Sequence, residues 1–496
     1  MKSINAIIAR FSYDYSEEAI EKSLREHPFN FCGIISTGVK PKYFSVLPEQ
    51  KQEWFSSSWV RGCIYKNVNW SSLESLDEEL IEQMRECEAI FMDMVARLEW
   101  KREVPYSERK QWYYKHLRFW NDYIKRHKIN LYISAWIPHE IPDIVIYYLC
   151  KLRGIPVLYF NTCTIHDTSF AEHDISKSAY QIGDRYKELL EEYKNEKDPG
   201  NIKLGERFQS YFDALISPVG RPPELEKIKR LTYWGHVRNL LWRKPVKFIK
   251  FGIEYFTPKG IARFFNTLHR NRAINRYEKF YDSRATLPDL NKPFVYVPLH
   301  YQPEASTNPM GGCFRNQSLM IQILNANLPD DVLIYVKEHP RKGGWLQRSV
   351  DFYKELLSLK KVRFVPSNFK TFELREHCSV VATVTGTAGF EALFLKKPVF
   401  LFGHRFYQYA NGVFRINSSD DCKKATKAIF EDRQTPKPIE SKIYLKAMED
   451  TCINGIFDPW KMKVTKMNYE DHVKATSAAI FEEIKKLEKE IEAVSY

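Results

Sequence analysis

The sequence predicts an α/β protein made of two parallel-sheet domains. Candidate strands and helices alternate in both halves of the chain, and a basic, aromatic segment near residues 220–285 separates the halves. A chain of 496 residues is too long for one ordinary core, and its 44% apolar residues are sufficient to fill two. These three observations favour two globular domains joined by a linker.

In the first half, candidate strands and helices occur in the order INAIIAR, YSEEAIEKSLREH, FNFCGIIST, SLDEELIEQMRECEAIFMDMVARLEW, ERKQWYYKHLRFWNDYIKRH, NLYISAW, PDIVIYYLCKLRG and PVLYFNT. The fourth segment predicts one long amphipathic helix over residues 75–100. Residues 130–162 predict a strand, a helix that ends at Gly154, and a second strand that starts after Pro156. Such a crossover builds a parallel sheet.

The second half repeats this alternation with PFVYVPLH, RNQSLMIQILNANL, DVLIYVKEHP, SVDFYKELLSL, VRFVPS, FKTFELREH, CSVVATVTG, TAGFEALFLKK and PVFLFG. We therefore expect a first domain (residues 1–220), a linker (221–285), a second domain (286–460) and a C-terminal helix (461–496). The apolar stripe of that last helix predicts packing, either back on the first domain or in an oligomer. Ligands of open parallel sheets lie beyond the carboxyl ends of the strands, so residues that follow strands are the first site candidates.

The linker carries most of the formal charge of +13, with 16 Lys and Arg against 5 Asp and Glu over residues 221–284. Aromatic residues such as Trp234 and Trp242 are interleaved with cations such as Arg238 and Lys244. This mixture is typical of a segment that lies on anionic lipid. A linker whose aromatic side chains pack between the domains is at least as good an interpretation. No known nucleic-acid-binding motif accompanies the charge, so we expect no nucleic acid partner.

The nine cysteines form no C-x-x-C pair and no cluster with zinc-ligand spacing, and their number is odd. This usage predicts reduced thiols in a cytoplasm. No stretch approaches the roughly 18 apolar residues that a membrane span needs, and the N-terminal apolar run is too short for a secretory signal. We expect a protein that is soluble or bound peripherally to a membrane.

One strand end in the second half suits an anionic ligand. His339 and Pro340 follow the strand VLIYV, and Lys337 and Arg341 keep the electrostatic field positive around them. An imidazole at this position can donate to an anionic oxygen. The alternative is a simple turn in which Pro340 ends the strand and His339 is exposed.

A second strand end reinforces this prediction. Thr385, Gly386 and Thr387 lie between a strand and a helix, where hydroxyls and unpaired backbone N–H groups create an anion site. We expect Glu391 in the first turn of that helix, where it either complements the helix dipole or holds ribose hydroxyls. The lack of a Walker lysine pattern argues against a P-loop NTPase. The two strand ends together predict a pocket for a phosphorylated nucleotide.

The segments YVKEHP and TVTGTAGFEALFLKKPVFLFG resemble the donor domain of GT-B glycosyltransferases. The similarity is greatest to bacterial capsule and surface-polysaccharide enzymes that use CMP-activated ulosonic acids, such as Kdo and sialic-acid-like sugars. FVYVPLHYQPEAST and IPHEIPDI also resemble segments of capsular polysaccharide biosynthesis proteins. The resemblance implies a GT-B-like fold of two Rossmann-like domains facing across a cleft. It also implies that the CMP phosphate and ribose are bound by His339, Pro340, Thr385, Gly386 and Thr387.

The loop HYQPEAST follows another strand of the second half. His300 is a candidate to face the phosphate, and Gln302 and Glu304 are candidates to bind the donor sugar. The alternative is a polar surface loop whose turn is set by Pro303.

Transfer from a CMP-ulosonate needs a carboxylate that deprotonates the acceptor or acts as nucleophile. The chain lacks the Asp/Glu-Asp/Glu-Gly base motif of classical bacterial sialyltransferases. The first candidate is Glu140, beside His139 and just past the strand NLYISAW. Asp14, Asp167 and Glu172 are further candidates, and for each the alternative is a helix cap, a turn former or an acceptor contact.

The resemblance implies a glycosyltransferase that adds an ulosonic acid from a CMP donor to a capsule or lipopolysaccharide glycan, without a metal or other cofactor. We expect it in the cytoplasm, on the inner face of the plasma membrane, with a glycan or lipid-linked glycan as acceptor. The alternatives are a related enzyme with another donor, such as a CDP-polyol phosphotransferase or a UDP-sugar enzyme, and a membrane scaffold without activity. The identity of the sugar and the stereochemistry stay open at this point.

Overall fold

The fold is described from a computed structural model, which covers residues 3–12, 14–27, 29–37, 44–98, 103–216, 272, 274–302, 304, 307–339, 348–459 and 465–494. Its strands are β1 (Ile4–Ala9), β2 (Phe29–Ser36), β3 (Gln52–Ser56), β4 (Leu131–Ser134), β5 (Val157–Thr162), β6 (Thr168–Glu172), β7 (Phe294–Pro298), β8 (Leu333–Lys337), β9 (Val362–Val365), β10 (Val380–Thr383), β11 (Val399–Leu401), β12 (Val413–Arg415) and β13 (Ile453–Asn454).

The α-helices are α1 (Asp14–Glu26), α2 (Ser57–Arg61), α3 (Glu78–Gln83), α4 (Arg85–Val95), α5 (Tyr106–Arg126), α6 (Ile141–Leu152), α7 (Tyr180–Glu192), α8 (Glu206–Ile216), α9 (274–284), α10 (Gln317–Asn327), α11 (Val350–Ser358), α12 (Thr371–His377), α13 (Thr387–Leu393), α14 (Ser419–Thr426), α15 (Pro438–Thr451), α16 (Tyr469–Lys486) and α17 (Glu488–Ala493). None of these described helices combines the length and apolar character of a bilayer span.

The first sheet has the strand order β13-β6-β5-β4-β1-β2-β3. Strands β1 to β5 are parallel, whereas β6 is antiparallel to β5 and β13 is antiparallel to β6. Side chains of β1 alternate between two cores: Ile7 packs with Trp120 of α5, and Ile8 packs with Val473 of α16. Because helices cover both faces, residues 6–9 of β1 are all apolar and buried.

The second sheet has the order β12-β11-β10-β7-β8-β9, and all its strands are parallel. Counted from β7 this is the Rossmann order 3-2-1-4-5-6. Phe294 and Tyr296 face one core, and Val295 and Val297 face the other. The predicted α/β architecture, two Rossmann-like parallel sheets in a GT-B-like arrangement, is confirmed.

The prediction of one long helix over residues 75–100 is wrong, because the helix is interrupted at Met84 and divided into α3 and α4. Met84 has φ −100° and ψ 12°, which turns its side chain into the core. Its carbonyl oxygen accepts a hydrogen bond from Tyr113 Oη at 2.9 Å. Burial therefore overrides the local helical pattern.

Two predicted domain boundaries differ from the structure. Helix α9 lies in the predicted linker but packs on the second sheet, where Tyr281 Oη donates to the carbonyl of Val365 at 2.6 Å. The second domain is predicted to end at residue 460, but β13 at residues 453–454 already pairs with β6 of the first sheet. Helix α16 then packs on α1, with Ser23 Oγ donating to the carbonyl of Ser477 at 2.8 Å. The remainder of the basic segment, 221–271 and 273, lies outside the described residues.

Candidate functional site

The strand order places a switch point in each sheet, between β1 and β4 in the first and between β7 and β10 in the second. At such a point the chain connections leave in opposite directions and open a crevice at the carboxyl ends of the strands. The loops after β7 and β10 contain the predicted residues His300, Thr385 and Gly386, and Thr387 is the first residue of α13.

The structure brings the ends of β7 and β10 into direct contact. His300 Nε2 accepts a hydrogen bond from the backbone N–H of Thr385 at 3.2 Å and lies 3.0 Å from Thr383 Oγ1. The Thr383 hydroxyl oxygen in turn accepts from the N–H of Gly386 at 3.0 Å. Nε2 therefore carries the lone pair and Nδ1 the proton.

The ring of His300 is buried, and this burial, with Arg348, His339 and Arg405 nearby, lowers its pKa to about 3. Because Nε2 is engaged by the threonine turn, His300 shapes that turn as a neutral residue. That His300 also faces a bound phosphate stays a prediction.

Two glycines make this packing possible. A Cβ on Gly386 would lie 2.8 Å from Thr383 Oγ1 and 3.2 Å from His300 Cε1. A Cβ on Gly389 would lie 2.7 Å from Tyr407 Oη, and the same hydroxyl donates to the carbonyl of Gly386 at 2.5 Å. The turn and the start of α13 are thus fixed by close contacts.

His339 lies at the neighbouring strand end, after β8. It is half-buried, and its ring centre is 5.9 Å from that of Tyr301 in the loop after β7. The adjacent Glu338 is buried and accepts hydrogen bonds from Arg348 and Tyr353 and from the N–H of His339. Arg348 also donates to the carbonyl of His300 at 2.6 Å. The ends of β7 and β8 are therefore joined by one buried network.

The other predicted donor-binding residues differ in burial and in their partners. Lys337 is buried at the last position of β8, and Pro340 lies outside the described residues. Gln302 donates to the carbonyl of Arg315, while Glu304 is exposed. The expected first-turn position of Glu391 is wrong, because α13 starts at Thr387 and Glu391 is its fifth residue, buried and paired with Arg375 of α12.

In the first domain, Glu140 lies beyond β4 at the switch point, as the N-cap residue of α6. Its carboxylate is 2.9 Å from Arg61 Nη2. Burial acts to raise the pKa of Glu140, but the charges of Arg10, Arg61, His139 and Arg97 outweigh it and hold the pKa below its ordinary value. Glu140 is therefore an ionised carboxylate among arginines.

His139 is oriented by its backbone. Its Nδ1 donates to the carbonyl of Ile137 at 2.7 Å, which leaves Nε2 as the acceptor nitrogen. Burial and the neighbouring Arg97 lower the pKa of His139. Arg97 donates to the His139 carbonyl and, across the domain boundary, to the carbonyl of Asn308 at 2.8 Å.

Behind Glu140 lies a buried ion pair that the sequence analysis missed. Arg10 follows β1 with a left-handed φ of 72°, and it donates to both carboxylate oxygens of Asp143 at 2.7 and 2.9 Å. Both side chains are almost fully buried. The pair joins the ends of β1 and α6 at the first switch point.

The remaining carboxylate candidates have structural partners. Asp167 is buried and accepts from Thr465 Oγ1 and from the N–H of Lys466 at 3.1 Å, which anchors the returning C-terminal segment. Glu172 is buried and accepts from Tyr159, Asn161 and Ser178. Asp14 is the first residue of α1, and its side chain lies outside the described part of the structure.

The loop at residues 307–316 connects the two sites. Met310 is buried in the main core of the first domain, and Asn308 Nδ2 donates to the carbonyl of Ile90 at 3.4 Å. Arg315 forms an ion pair with Asp93 of α4. Arg405, after β11, has its Nη1 3.7 Å from Met310 Sδ. Cationic side chains of both domains therefore surround this loop.

Sequence reasoning missed the arginines of the site. Arg10 and Arg405 follow strands closely, so the strand-end rule that selected His339 was sufficient to find them. Arg61 is the last residue of α2 and Arg97 lies within a 3₁₀ turn, and only tertiary contacts bring them to Glu140. Among the described residues no group of three or more His, Cys, Asp or Glu side chains is arranged to hold a metal ion.

Comparison with known proteins gives one family match. Residues 268–457 match the family model described as capsule polysaccharide biosynthesis protein. No curated protein matches the chain.

Solved structures similar to this chain include the β-Kdo 2,7-transferase KpsC of Thermosulfurimonas dismutans, at 14% identity over 78% of this chain and 95% of that chain, with a TM-score of 0.29. A glycosyltransferase from Rickettsia africae ESF-5 has 12% identity over 99% of this chain and 100% of that chain, with a TM-score of 0.27. The UDP-GlcNAc 2-epimerase of Methanocaldococcus jannaschii has 12% identity over 89% of this chain and 98% of that chain, with a TM-score of 0.25.

The family match spans all of the second sheet, helix α9 and the crossing back to the first sheet. It confirms the resemblance to capsule polysaccharide biosynthesis proteins that the sequence indicated. Residues 268–457 of this chain are therefore similar to capsule polysaccharide biosynthesis proteins, and they lie within a GT-B-like pair of Rossmann-like sheets.

Proposed function

We propose that the protein is a glycosyltransferase that transfers an ulosonic acid, of the Kdo or sialic-acid type, from a CMP-activated donor to a capsule or lipopolysaccharide glycan. One observation carries the proposal: polar residues at the ends of β7, β8 and β10 lie together, with His300 bonded to Thr385 and His339 beside Tyr301. The family match over residues 268–457 supports the capsule context.

On the donor side, we assign the cytidine phosphate to the crevice between His339 and the turn that begins at Thr385. The leaving group is a phosphate monoester, which needs positive or hydrogen-bonding groups as the glycosidic bond breaks. The neutral His300 holds the turn in position through Thr385, so the turn requires little reorganisation when the donor binds.

On the acceptor side, we assign Glu140 as the carboxylate that acts on the acceptor hydroxyl or on the donor. Its surrounding cations keep it ionised, which weakens it as a base. An anionic substrate that engages Arg61 or Arg97 withdraws that stabilisation and raises the basicity of Glu140. This arrangement suits an acidic sugar substrate better than a neutral one.

We also propose that the protein acts at the inner face of the plasma membrane, on a lipid-linked acceptor, through the basic aromatic segment 221–284. The support is the excess of cations and the interleaved aromatic residues of that segment. Co-flotation with vesicles that contain anionic lipid, lost at high salt and absent with purely zwitterionic vesicles, is the expected result. Equal flotation with both vesicle types, or with neither, contradicts it.

The donor proposal is tested by calorimetric titration of the protein with CMP, CDP and UDP. We expect CMP to bind in the micromolar range, and the His339→Ala variant to bind it at least tenfold more weakly. His377→Ala, which removes an exposed histidine from α12 of the same domain, serves as the matched control. A preference for UDP, or for CDP together with turnover of a CDP-polyol, would assign the protein to another donor class.

A further inference from the structure

Arg405 occupies the loop that follows β11, next to the threonine turn. The N–H of Phe402 donates to the carbonyl of Thr383 at 3.0 Å, and the N–H of Gly403 donates to that of Val384 at 2.7 Å. A Cβ on Gly403 would lie 2.6 Å from Thr385 Cγ2. The loop that carries Arg405 is therefore packed directly on the turn assigned to the donor phosphate.

The guanidinium of Arg405 lacks an oxygen partner among the described residues. Its Nε is buried without a hydrogen bond, and its Nη1 lies 3.7 Å from the thioether sulfur of Met310, a weak acceptor. Three other arginines are paired with carboxylates, namely Arg10 with Asp143, Arg348 with Glu338 and Arg375 with Glu391. Where a carboxylate partner is missing, Arg97 donates to two backbone carbonyls and Arg415 to the amide oxygen of Asn417. A half-buried guanidinium that is not so paired is costly unless a ligand supplies the anion.

No carboxylate among the described residues forms an ion pair with Arg405. Arg405 acts to lower the pKa of His300, so its positive field reaches the second-domain crevice. On the first-domain side the charge of Arg405 acts on the buried Glu172, where it opposes the burial that raises the pKa of that carboxyl. Glu172 already accepts three hydrogen bonds, from Tyr159, Asn161 and Ser178.

The position of Arg405 relative to the domains indicates which part of a donor it contacts. The proposed function assigns the nucleotide to the second domain and the carboxylate of Glu140 to the first, so it places the transferred sugar between the two. Arg405 contacts Met310, which packs in the first-domain core, so its guanidinium lies on the side of the turn that faces the first domain. A planar guanidinium fork matches a carboxylate in two parallel hydrogen bonds.

We infer that Arg405 binds the carboxylate of the transferred sugar and so selects an acidic sugar over a neutral one. The inference rests on the proposed function and deepens it, because it assigns a residue to the chemical group that distinguishes ulosonic acids from other donor sugars.

The test compares ligands that contain and lack this carboxylate. Wild type, Arg405→Met and Arg405→Lys are titrated with CMP, CDP, CMP-Kdo and CMP-N-acetylneuraminate, with Arg363→Met, on the exposed face of β9, as matched control. We expect Arg405→Met to lower the affinity for a CMP-sugar acid about 10- to 100-fold, and to leave the affinity for CMP unchanged. Arg405→Lys keeps the charge without the fork and should give an intermediate loss.

Unchanged CMP binding in the variants also shows that they are folded. If Arg405→Met loses as much affinity for CMP as for the CMP-sugar acids, the inference is overturned in favour of a phosphate contact. A loss of affinity for CDP alone leads to the same conclusion. Undiminished binding of every ligand by Arg405→Met overturns it as well, while the proposed function stands on the wild-type affinity for CMP. A wild type that binds no cytidine nucleotide overturns both.

Discussion

The Nε2 atom of His300 lies 3.2 Å from the backbone nitrogen of Thr385, across the switch point of the second sheet. This hydrogen bond joins the loop after β7 to the turn after β10, two segments 85 residues apart in sequence. It requires an unprotonated Nε2, which agrees with the burial that lowers the pKa of His300 to about 3. The shape of the crevice therefore depends on a neutral histidine.

We predict that the protein loses stability as pH falls below about 6.5, the pKa of an unfolded histidine. Burial lowers the pKa of His300 and of His116 to about 3 each, so between pH 3 and 6.5 the unfolded chain binds protons that the folded chain does not. The free energy of unfolding should then fall by ~1.4 kcal/mol per pH unit for each histidine. Urea unfolding at pH 7.5, 6.0 and 5.0 measures this slope.

The contribution of His300 is isolated by His300→Gln, whose amide oxygen can accept the Thr385 hydrogen bond without titrating. Its pH slope should be smaller than that of wild type by ~1.4 kcal/mol per unit. His377→Gln, at an exposed position of α12, is the matched control. A slope that His300→Gln leaves unaltered would show that His300 is protonated in the folded protein.

The ion pair of Arg10 and Asp143 should be essential to the stability of the first domain. Its partners are 1% and 0% exposed, so Asp143→Asn leaves a buried guanidinium uncompensated and should cost about 3–5 kcal/mol of unfolding free energy. The double change Arg10→Met with Asp143→Leu should recover most of this loss. Chemical denaturation measures both effects.

The control for this pair is Arg25→Ala, which removes an exposed ion pair with Glu21 on α1. Its effect on the unfolding free energy should stay within about 0.5 kcal/mol. If Asp143→Asn were as mild as Arg25→Ala, the Arg10 side chain would have to reach solvent or another acceptor in the folded protein.

Glu140→Gln should lower the rate of CMP release from a CMP-ulosonate about 100-fold or more without weakening CMP binding. The reason is that Glu140 belongs to the first domain, whereas the nucleotide is assigned to the second. Glu74→Gln, which changes an exposed ion-paired carboxylate of the same domain, is the control. Full activity of Glu140→Gln would exclude it as the catalytic carboxylate.

The environment of Glu140 also predicts a pH effect. Burial raises its pKa, but the charges of Arg10, Arg61, His139 and Arg97 lower it overall, and Arg61 is in direct contact at 2.9 Å. Arg61→Met should therefore raise the pKa of Glu140 and move the acid limb of the pH–rate profile to higher pH, because the base must be ionised. Lys125→Met, which removes the ion-pair partner of Glu74, is the control and should not shift the acid limb of the pH–rate profile.

The loop at 307–316 should couple the unfolding of the two domains. Arg97 donates to the carbonyl of Asn308, and Arg315 pairs with Asp93. In the double variant Arg97→Met with Arg315→Met, calorimetry should show two separated transitions where wild type shows one. Arg85→Met, which removes an exposed ion pair with Glu82 at the start of α4, should keep the wild-type profile. A single transition in the double variant would assign the coupling to the apolar contacts of Met310.

The amino-acid sequence by itself determined the fold class, the order of most strands and helices, and the strand ends where His300, His339 and Thr385 occur. These features depend on local periodicity and on turn chemistry, which neighbouring residues in the chain express directly. It also indicated the capsule polysaccharide biosynthesis family, through the segments that follow β8 and β10.

Only the tertiary structure decided which of these side chains meet and in what charge state. The break at Met84, the partner of Glu391, the burial of Asp167 and the arginines around Glu140 all depend on contacts between segments far apart in the chain. Burial removes water from such groups, so their pKa values and hydrogen bonds are set by neighbours that sequence spacing does not reveal.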